Sequence, residues 1–351
     1  MGVPLNDAQV FVHGVGTALP GPPVTNEDIA AHYGMPTVWR QWVDEYIGTR
    51  SRHLAVDLAT GKTSHSLTDL GEIAARGALA DAGVAAGDID VVVMSTATPD
   101  HLAPSTVSRI AGRIGIAGVP VYQLQSGCTG AVQALEITQD LLRGGVHRTA
   151  LVLGGDTSAK HTSPDVDAAS VPLEVQVNGL IFGDGVGAAV LGTSPAEGRP
   201  VLRHVHSRLV GAGRAPGQTV YWFGRAVSGE DGVPASEDFK AIETTAAPMA
   251  ADALKHLLHE LSWDVDRVRY ILPPQLSARM TDRTLSHLAL PGAEPVSRVT
   301  EIGNTGNAIP YFQLELLLPR LRPGDRAVGI SIEASKWIRS GYALELPAAD
   351  A

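Results

Sequence analysis

Short apolar runs alternate along this chain with longer stretches whose apolar residues recur at helical spacing, the pattern of an α/β protein. "VFVHGVG" (Val10 to Gly16) predicts a strand that runs out into glycines. "SLTDLGEIAARGALADAG" (Ser66 to Gly83) predicts a helix, with a Ser/Thr/Asp-rich start, apolar residues three and four apart, and a closing glycine. "IDVVVMSTAT" (Ile89 to Thr98), "VPVYQLQ" (Val119 to Gln125) and "TALVLGGD" (Thr149 to Asp156) predict buried strands. Between the last two, "CTGAVQALEITQDLLRGG" predicts a helix that starts at Cys128 and ends at Gly144 and Gly145. Thr157 to Gln176 has no clear period and predicts a long loop, a kind of segment that often carries function. "GLIFGDGVGAAVLG" (Gly179 to Gly192) predicts a glycine-punctuated hairpin of two apolar strands.

The second half repeats this order loosely. "VLRHVHSRLV" predicts a strand, Asp238 to Leu261 a long helix, "VRYILPP" a strand, Leu276 to Leu290 and Ile309 to Leu318 helices, and "AVGISIEAS" and "GYALEL" closing strands. Two similar α/β halves predict a pseudo-duplicated fold. The junction falls in "TSPAEGRP" (Thr193 to Pro200), dividing residues 1–195 from 196–351.

Composition narrows the function classes. At 351 residues the chain can bury two cores or one large one, and 44% apolar residues suit a globular protein. A net charge of -10 argues against sequence-independent nucleic-acid binding, which needs basic surface. The single cysteine cannot form an intramolecular disulfide, and no Cys/His cluster has zinc spacing. The start of the chain lacks a signal-peptide pattern, and no segment approaches the ~18 uninterrupted apolar residues of a membrane span. These features predict a cytoplasmic protein with no nucleic-acid or membrane partner.

Cys128 lies in "SGCTGA", where a predicted strand gives way to a helix. Free cysteines are often inert buried hydrophobes. A helix N-terminus, however, carries unsatisfied N–H groups and a positive partial charge, which favour a thiolate. Gly127 and Gly130 leave room for a substrate, and the Cys128 N–H could serve as an oxyanion donor to a thioester carbonyl.

Further stretches fall in a familiar order: "GVGTALPGPPVTNEDI", "WVDEYIGTRSRHLA" (Trp42 to Ala55), "STATPDHLAPSTVSRIAGRIGIAG", "IFGDGVGAAVL" and "GNTGNAIP" (Gly303 to Pro310). Together they resemble the β-ketoacyl-ACP synthase III family of the thiolase superfamily, along essentially the whole chain. The resemblance implies a five-layered αβαβα fold from two duplicated halves, usually a homodimer. It implies that Cys128 accepts an acyl group from a coenzyme A (CoA) or acyl-carrier-protein thioester, with no permanently bound cofactor. It also places Asn304 in the active site and Phe182 beside the pocket, and it puts Trp42, Tyr46 and Arg279 at the cofactor entrance.

Several positions depart from the family pattern. In "LPPQLSAR", Pro274 stands where the family has its catalytic histidine and Ser277 where an asparagine follows. Proline has no ionisable group and no N–H. From Glu333 the chain reads "EASKWIRSGYAL", so Lys336 and Trp337 occupy what the family builds as a glycine-rich oxyanion loop. Either the backbone there still presents an N–H, or the oxyanion site has been rebuilt. Ala103 replaces a phenylalanine that in the family limits the acyl pocket from across the dimer, and Tyr46 and Gln176 replace two arginines at the entrance. The glycines around Asp184 read as structural. His161, in the long loop, is the candidate substitute for the missing histidine, whereas His204 and His206 on a strand read as structural, and His256, His259 and His287 lie on helix faces.

The expected function is transfer of an acyl group from Cys128 to an O, N or S nucleophile or to a non-decarboxylative carbon acceptor, in specialised polyketide-type biosynthesis. A decarboxylating 3-oxoacyl-ACP synthase, and a non-catalytic partner of an active homologue, are the alternatives. An acyl carrier protein and small-molecule acyl donors and acceptors are the expected partners.

Overall fold

The computed structural model describes residues 8–161, 180–220 and 235–348. Its strands are β1 (Phe11–Ala18), β2 (Val24–Thr25), β3 (Ser51–Arg52), β4 (Val91–Thr96), β5 (Val121–Gln125), β6 (Thr149–Asp156), β7 (Gly185–Gly192), β8 (Val201–Leu209), β9 (Gln218–Val220), β10 (Ala235–Glu237), β11 (Tyr270–Leu272), β12 (Glu294–Pro295), β13 (Arg326–Glu333) and β14 (Ile338–Glu345).

Ten strands pair in the order β12-β11-β13-β14-β8-β1-β7-β6-β4-β5. This order contains a duplication. From β1 outward the pairings run antiparallel to β7, antiparallel to β6, parallel to β4 and parallel to β5. From β8 outward they run antiparallel to β14, antiparallel to β13, parallel to β11 and parallel to β12. Among the described residues the two sets are paired strand to strand at Phe11↔Val201 alone.

The helices complete the layers. Leu67–Ala82 and Thr106–Ile114 cover the outer face of the first set, through Leu70, Ala74, Ala78 and Ile110 against Val92, Leu151 and Ala188. Close approach here requires glycine: a Cβ on Gly16 would lie 2.3 Å from the Ala74 carbonyl oxygen. Gly130–Arg143 and Ile309–Leu317 form the middle layer, where Leu135, Leu142, Tyr311 and Leu314 share one core with Val93 and Val152 on one side and Leu272 and Leu344 on the other. Phe239–Leu261 and Ala278–Leu288 cover the second set's outer face, around Leu254, Leu257, Ile271 and Ile330. The result is the layered αβαβα arrangement.

Local chemistry explains the helix ends. Ser66 caps its helix in a reciprocal box with Asp69, and Gly83 closes it in the left-handed region at φ 65°. Asp238 caps the long helix by accepting from the Ala241 N–H.

Two expectations need correction. "GLIFGDGVGAAVLG" is not a hairpin: Gly185–Gly192 is one strand, and Phe182 makes only an isolated bridge with Asn304. The reason lies in Asp184, whose buried carboxylate accepts from the Ala55 and Ala159 N–H groups while the Gly183 N–H bonds to the Asn304 carbonyl. The chain there is tied to loops instead of pairing with itself. β5 is also not a buried strand but the sheet edge, with Tyr122 45% exposed.

Candidate active site

Cys128 sits between the end of β5 and the middle-layer helix that begins at Gly130. Glycine is required at that first position, because a Cβ on Gly130 would lie 2.0 Å from Ser95 Oγ and 2.4 Å from Asn307 Oδ1. The thiol faces a cleft of about 740 Å³, counting its open mouth. Asn304, Phe182, Pro274, Gln218, Glu237 and Trp337 are among the residues that line it. Asn304 follows Gly303, which adopts φ 68° within a crowded turn. Its Oδ1 accepts from the Gly306 N–H at 3.0 Å, which leaves its amide nitrogen for the sulfur. The side chain of Asn304 favours the Cys128 thiolate.

The electrostatics reverse the expectation from the helix start. The Cys128 thiol is pushed up to about 12, chiefly by burial and then by the carboxylates of Glu333, Asp156 and Glu237, against a smaller lowering by Asn304. The helix N-terminus does not prevail because it is already occupied. Glu333 accepts from Thr129 N–H at 3.3 Å, Thr129 Oγ1 at 2.6 Å and Ser126 Oγ at 3.0 Å. A carboxylate there absorbs the positive end of the helix. Asp156 is similarly committed: it accepts from Thr96, the Ala97 N–H, Thr98, and both the backbone and side chain of Asn307. Through Asn307, which also donates to the Ser126 carbonyl at 3.0 Å, it ties the asparagine loop to the cysteine loop.

Trp337 rebuilds the segment where glycines were expected from the family pattern. It is 2% exposed, adopts φ 61°, and donates from Nε1 to the Ala215 carbonyl at 2.8 Å. Gly217 makes room for it: a Cβ there would lie 2.8 Å from the indole ring.

The other predicted positions are dispersed. Phe182 and Pro274 line the cleft, but Ser277 does not: it caps helix Ala278–Leu288, accepting from the Met280 N–H. Ala103 is exposed and outside the lining of this chain's cleft. Trp42 and Tyr46 stack at 5.9 Å, and Arg279 pairs with Glu45 at 2.8 Å. These groups adjoin one another, since the Arg279 N–H bonds to the Ile47 carbonyl, but none lines the cleft. His161 ends the turn Ser158–His161 and is likewise outside the lining; burial and then Lys160 lower its pKa. Gln176 lies outside the described residues.

Several lining residues were missed from sequence, Gln218 and Glu237 among them. Gln218 and Glu237 face each other across the β9–β10 pair. Each of these strands has only three residues, too few for a period to register.

Comparison with known proteins agrees with this fold. A family model for 3-oxoacyl-[acyl-carrier-protein (ACP)] synthase III matches residues 122–208. The beta-ketoacyl-[acyl-carrier-protein] synthase III of Rhodospirillum centenum is 32% identical over 89% of this chain and 91% of its own length. The chain belongs to the synthase III family. Enzymes of this family are acyl-transferring ketosynthases that work on CoA or acyl-carrier-protein thioesters without a permanent cofactor. Among solved structures, AbyA1, a tetronic acid condensing enzyme, is 52% identical, with a TM-score of 0.92 over 96% of this chain and 99% of its own. The synthase III of Pseudomonas aeruginosa PAO1 is 26% identical, with a TM-score of 0.80 over 98% of this chain and 100% of its own. Among the described residues of this synthase III relative, no helix is long and apolar enough to cross a membrane.

Proposed function

We propose that this synthase III relative is a condensing acyltransferase of polyketide-type biosynthesis. Cys128 takes an acyl group from a CoA or acyl-carrier-protein thioester and passes it, without decarboxylating a malonyl unit, to an acceptor bearing a hydroxyl. A covalent acyl-enzyme splits one difficult transfer into two easier ones. In this reading the Asn304 amide donates to the thioester oxygen, Phe182 and Pro274 shape the acyl pocket, and Trp42, Tyr46 and Arg279 guide the carrier arm. The chain acts as a homodimer, with Ala103 enlarging the partner's pocket.

The observation that carries this reading is the make-up of the cleft. Among the described lining residues it offers a thiol, carboxamides and a carboxyl, and no imidazole. In the family pattern a histidine and an asparagine together hold the enolate left by decarboxylation, and Pro274 cannot play that part. The likeness to AbyA1 supports the same conclusion. A tetronic acid is a five-membered lactone with an enol beside the carbonyl. Its condensation therefore joins an acyl carbon to a carbon nucleophile and closes an ester on a hydroxyl, neither of which requires loss of carbon dioxide.

Intact-protein mass spectrometry after incubation with acyl thioesters tests the first half. The wild type gains one acyl mass and Cys128→Ala gains none; failure of every CoA and carrier-bound donor to label Cys128 would overturn the proposal. Release of carbon dioxide from malonyl-carrier protein by the acylated enzyme would instead establish a decarboxylating synthase.

A further inference from the structure

A transfer to a hydroxyl needs a base, and the cleft contains one ionisable side chain besides Cys128 among its described lining residues: Glu237. Glu333 and Asp156 also act on the thiol, but their oxygens are taken up by Ser126, Thr129 and Ser335, and by Thr96, Ala97, Thr98 and Asn307. Neither lines the cleft. Glu237 differs on both counts. It faces the cavity, and one donor is found on it, Gln218 Nε2, placed opposite by the β9–β10 register. A carboxylate has about four lone-pair sites, so most of its accepting capacity remains open. Among the described residues that line this cavity there is no cation, and Arg214, stacked on the Trp337 ring, is itself exposed.

We propose that Glu237 is the general base of this enzyme, with Gln218 as its positioning residue. In acylation the Glu237 carboxylate accepts the Cys128 S–H proton as the sulfur bonds to the thioester carbonyl carbon. The carbon–sulfur bond to the carrier then breaks, and the proton passes to the departing thiolate. In transfer the carboxylate accepts the acceptor's O–H proton as that oxygen bonds to the acyl carbon. The bond to Cys128 Sγ breaks, and the proton returns to the sulfur. Atoms and charge balance in each half-reaction, and no further reactant enters. Burial raises the Glu237 carboxyl to about 7, against the Gln218 hydrogen bond, so at neutral pH it can both take and return a proton.

The assignment rests on the acyl transfer proposed above, so its test includes a readout independent of any substrate. Alkylation of Cys128 by iodoacetamide, followed by mass from pH 5.5 to 8.5, should rise through a limb near pH 7 in the wild type. Glu237→Gln should lack that limb, and Glu237→Asp should keep it with a reduced rate. With an acyl donor and a hydroxyl acceptor, Glu237→Gln should lose about 10²–10⁴-fold in transfer. A wild-type profile without the limb, a Glu237→Gln profile that keeps it, or transfer within twofold of wild type would each overturn the assignment. Should Glu237→Gln melt well below the wild type, the wild-type limb and the Glu237→Asp profile decide alone. If no donor acylates the wild type while the limb depends on Glu237, the acyl-transfer reading fails and the base survives.

Discussion

At the scale of the residue, the lesson of Cys128 is that a position in secondary structure does not set a pKa. Its place before a helix was legible from "SGCTGA", and the helix does begin at Gly130. The electrostatic consequence was not legible, because it depends on Glu333, 205 positions away and in hydrogen-bond contact with the next residue, Thr129. Burial among carboxylates favours the protonated thiol. Glu333→Gln tests that balance. Removing one charge should lower the Cys128 pKa by about 1–3 units, as nearby charges typically do, read from thiolate absorbance against a Cys128→Ala blank. The cap on Thr129 and Ser126 weakens from a charged to a neutral acceptor, so stability should also fall, by about 1–3 kcal/mol. An unchanged thiolate titration would show that burial alone sets the pKa.

At the scale of the element, legibility followed the strength of the period. Helix Leu67–Ala82 was visible from its cap, stripe and terminal glycine, whereas the β9–β10 pair that supplies Gln218 and Glu237 has no such signature. β8 shows a different limit. His204 and His206 alternate on it with apolar neighbours and meet His256 on helix Phe239–Leu261; the His206 ring lies edge-on to His256 at 4.5 Å. His206 is fully buried, and neither ring nitrogen has a hydrogen-bond partner among the described residues. Burial first, and then His256, His204, Arg208 and Arg339, lower its pKa to about 3. The folded state thus resists a proton that the unfolded chain accepts near 6.5. The neutral ring contributes full stability above about pH 6.5, and this is lost as the pH falls towards 3, by at most about 1.4 kcal/mol per pH unit. Glu237 and Asp184, whose carboxyls are raised by burial to about 7 and about 6, oppose the trend because the fold favours their protonated forms. Comparison with His206→Leu isolates the histidine. Chemical denaturation from pH 7 to 4 should show a steeper loss in the wild type than in the variant, and parallel curves would refute the assignment.

At the scale of the molecule, the duplication was visible as a loose repetition of strands and helices, whereas the layer that unites the halves was implied only by the family resemblance and not by the periodicity. Periodicity shows that Gly130–Arg143 and Ile309–Leu317 are helices with apolar positions; it does not show that each is buried on two sides. That double burial explains why Cys128 and Asn304, from opposite halves of the sequence, meet: each is carried at the approach to a middle-layer helix. It also predicts cooperativity. A chain of 351 residues exceeds the size at which two-state unfolding is usual, and halves with separate cores would melt separately. Here Leu142, fully buried, belongs to one cluster with Val93 and Val152 from the first set of strands and Leu272, Ala327 and Leu344 from the second. Leu142→Ala should therefore cost about 2–5 kcal/mol, the usual range for such a cavity, and the loss should fall on both halves together. Guanidinium titrations read at single remaining tryptophans, Trp42 for the first half and Trp337 for the second, should shift by the same denaturant concentration in the variant. A shift confined to the Trp42 signal would mean that the middle layer belongs to the first half alone, and that the two sides of the active site are held together by something other than their common core.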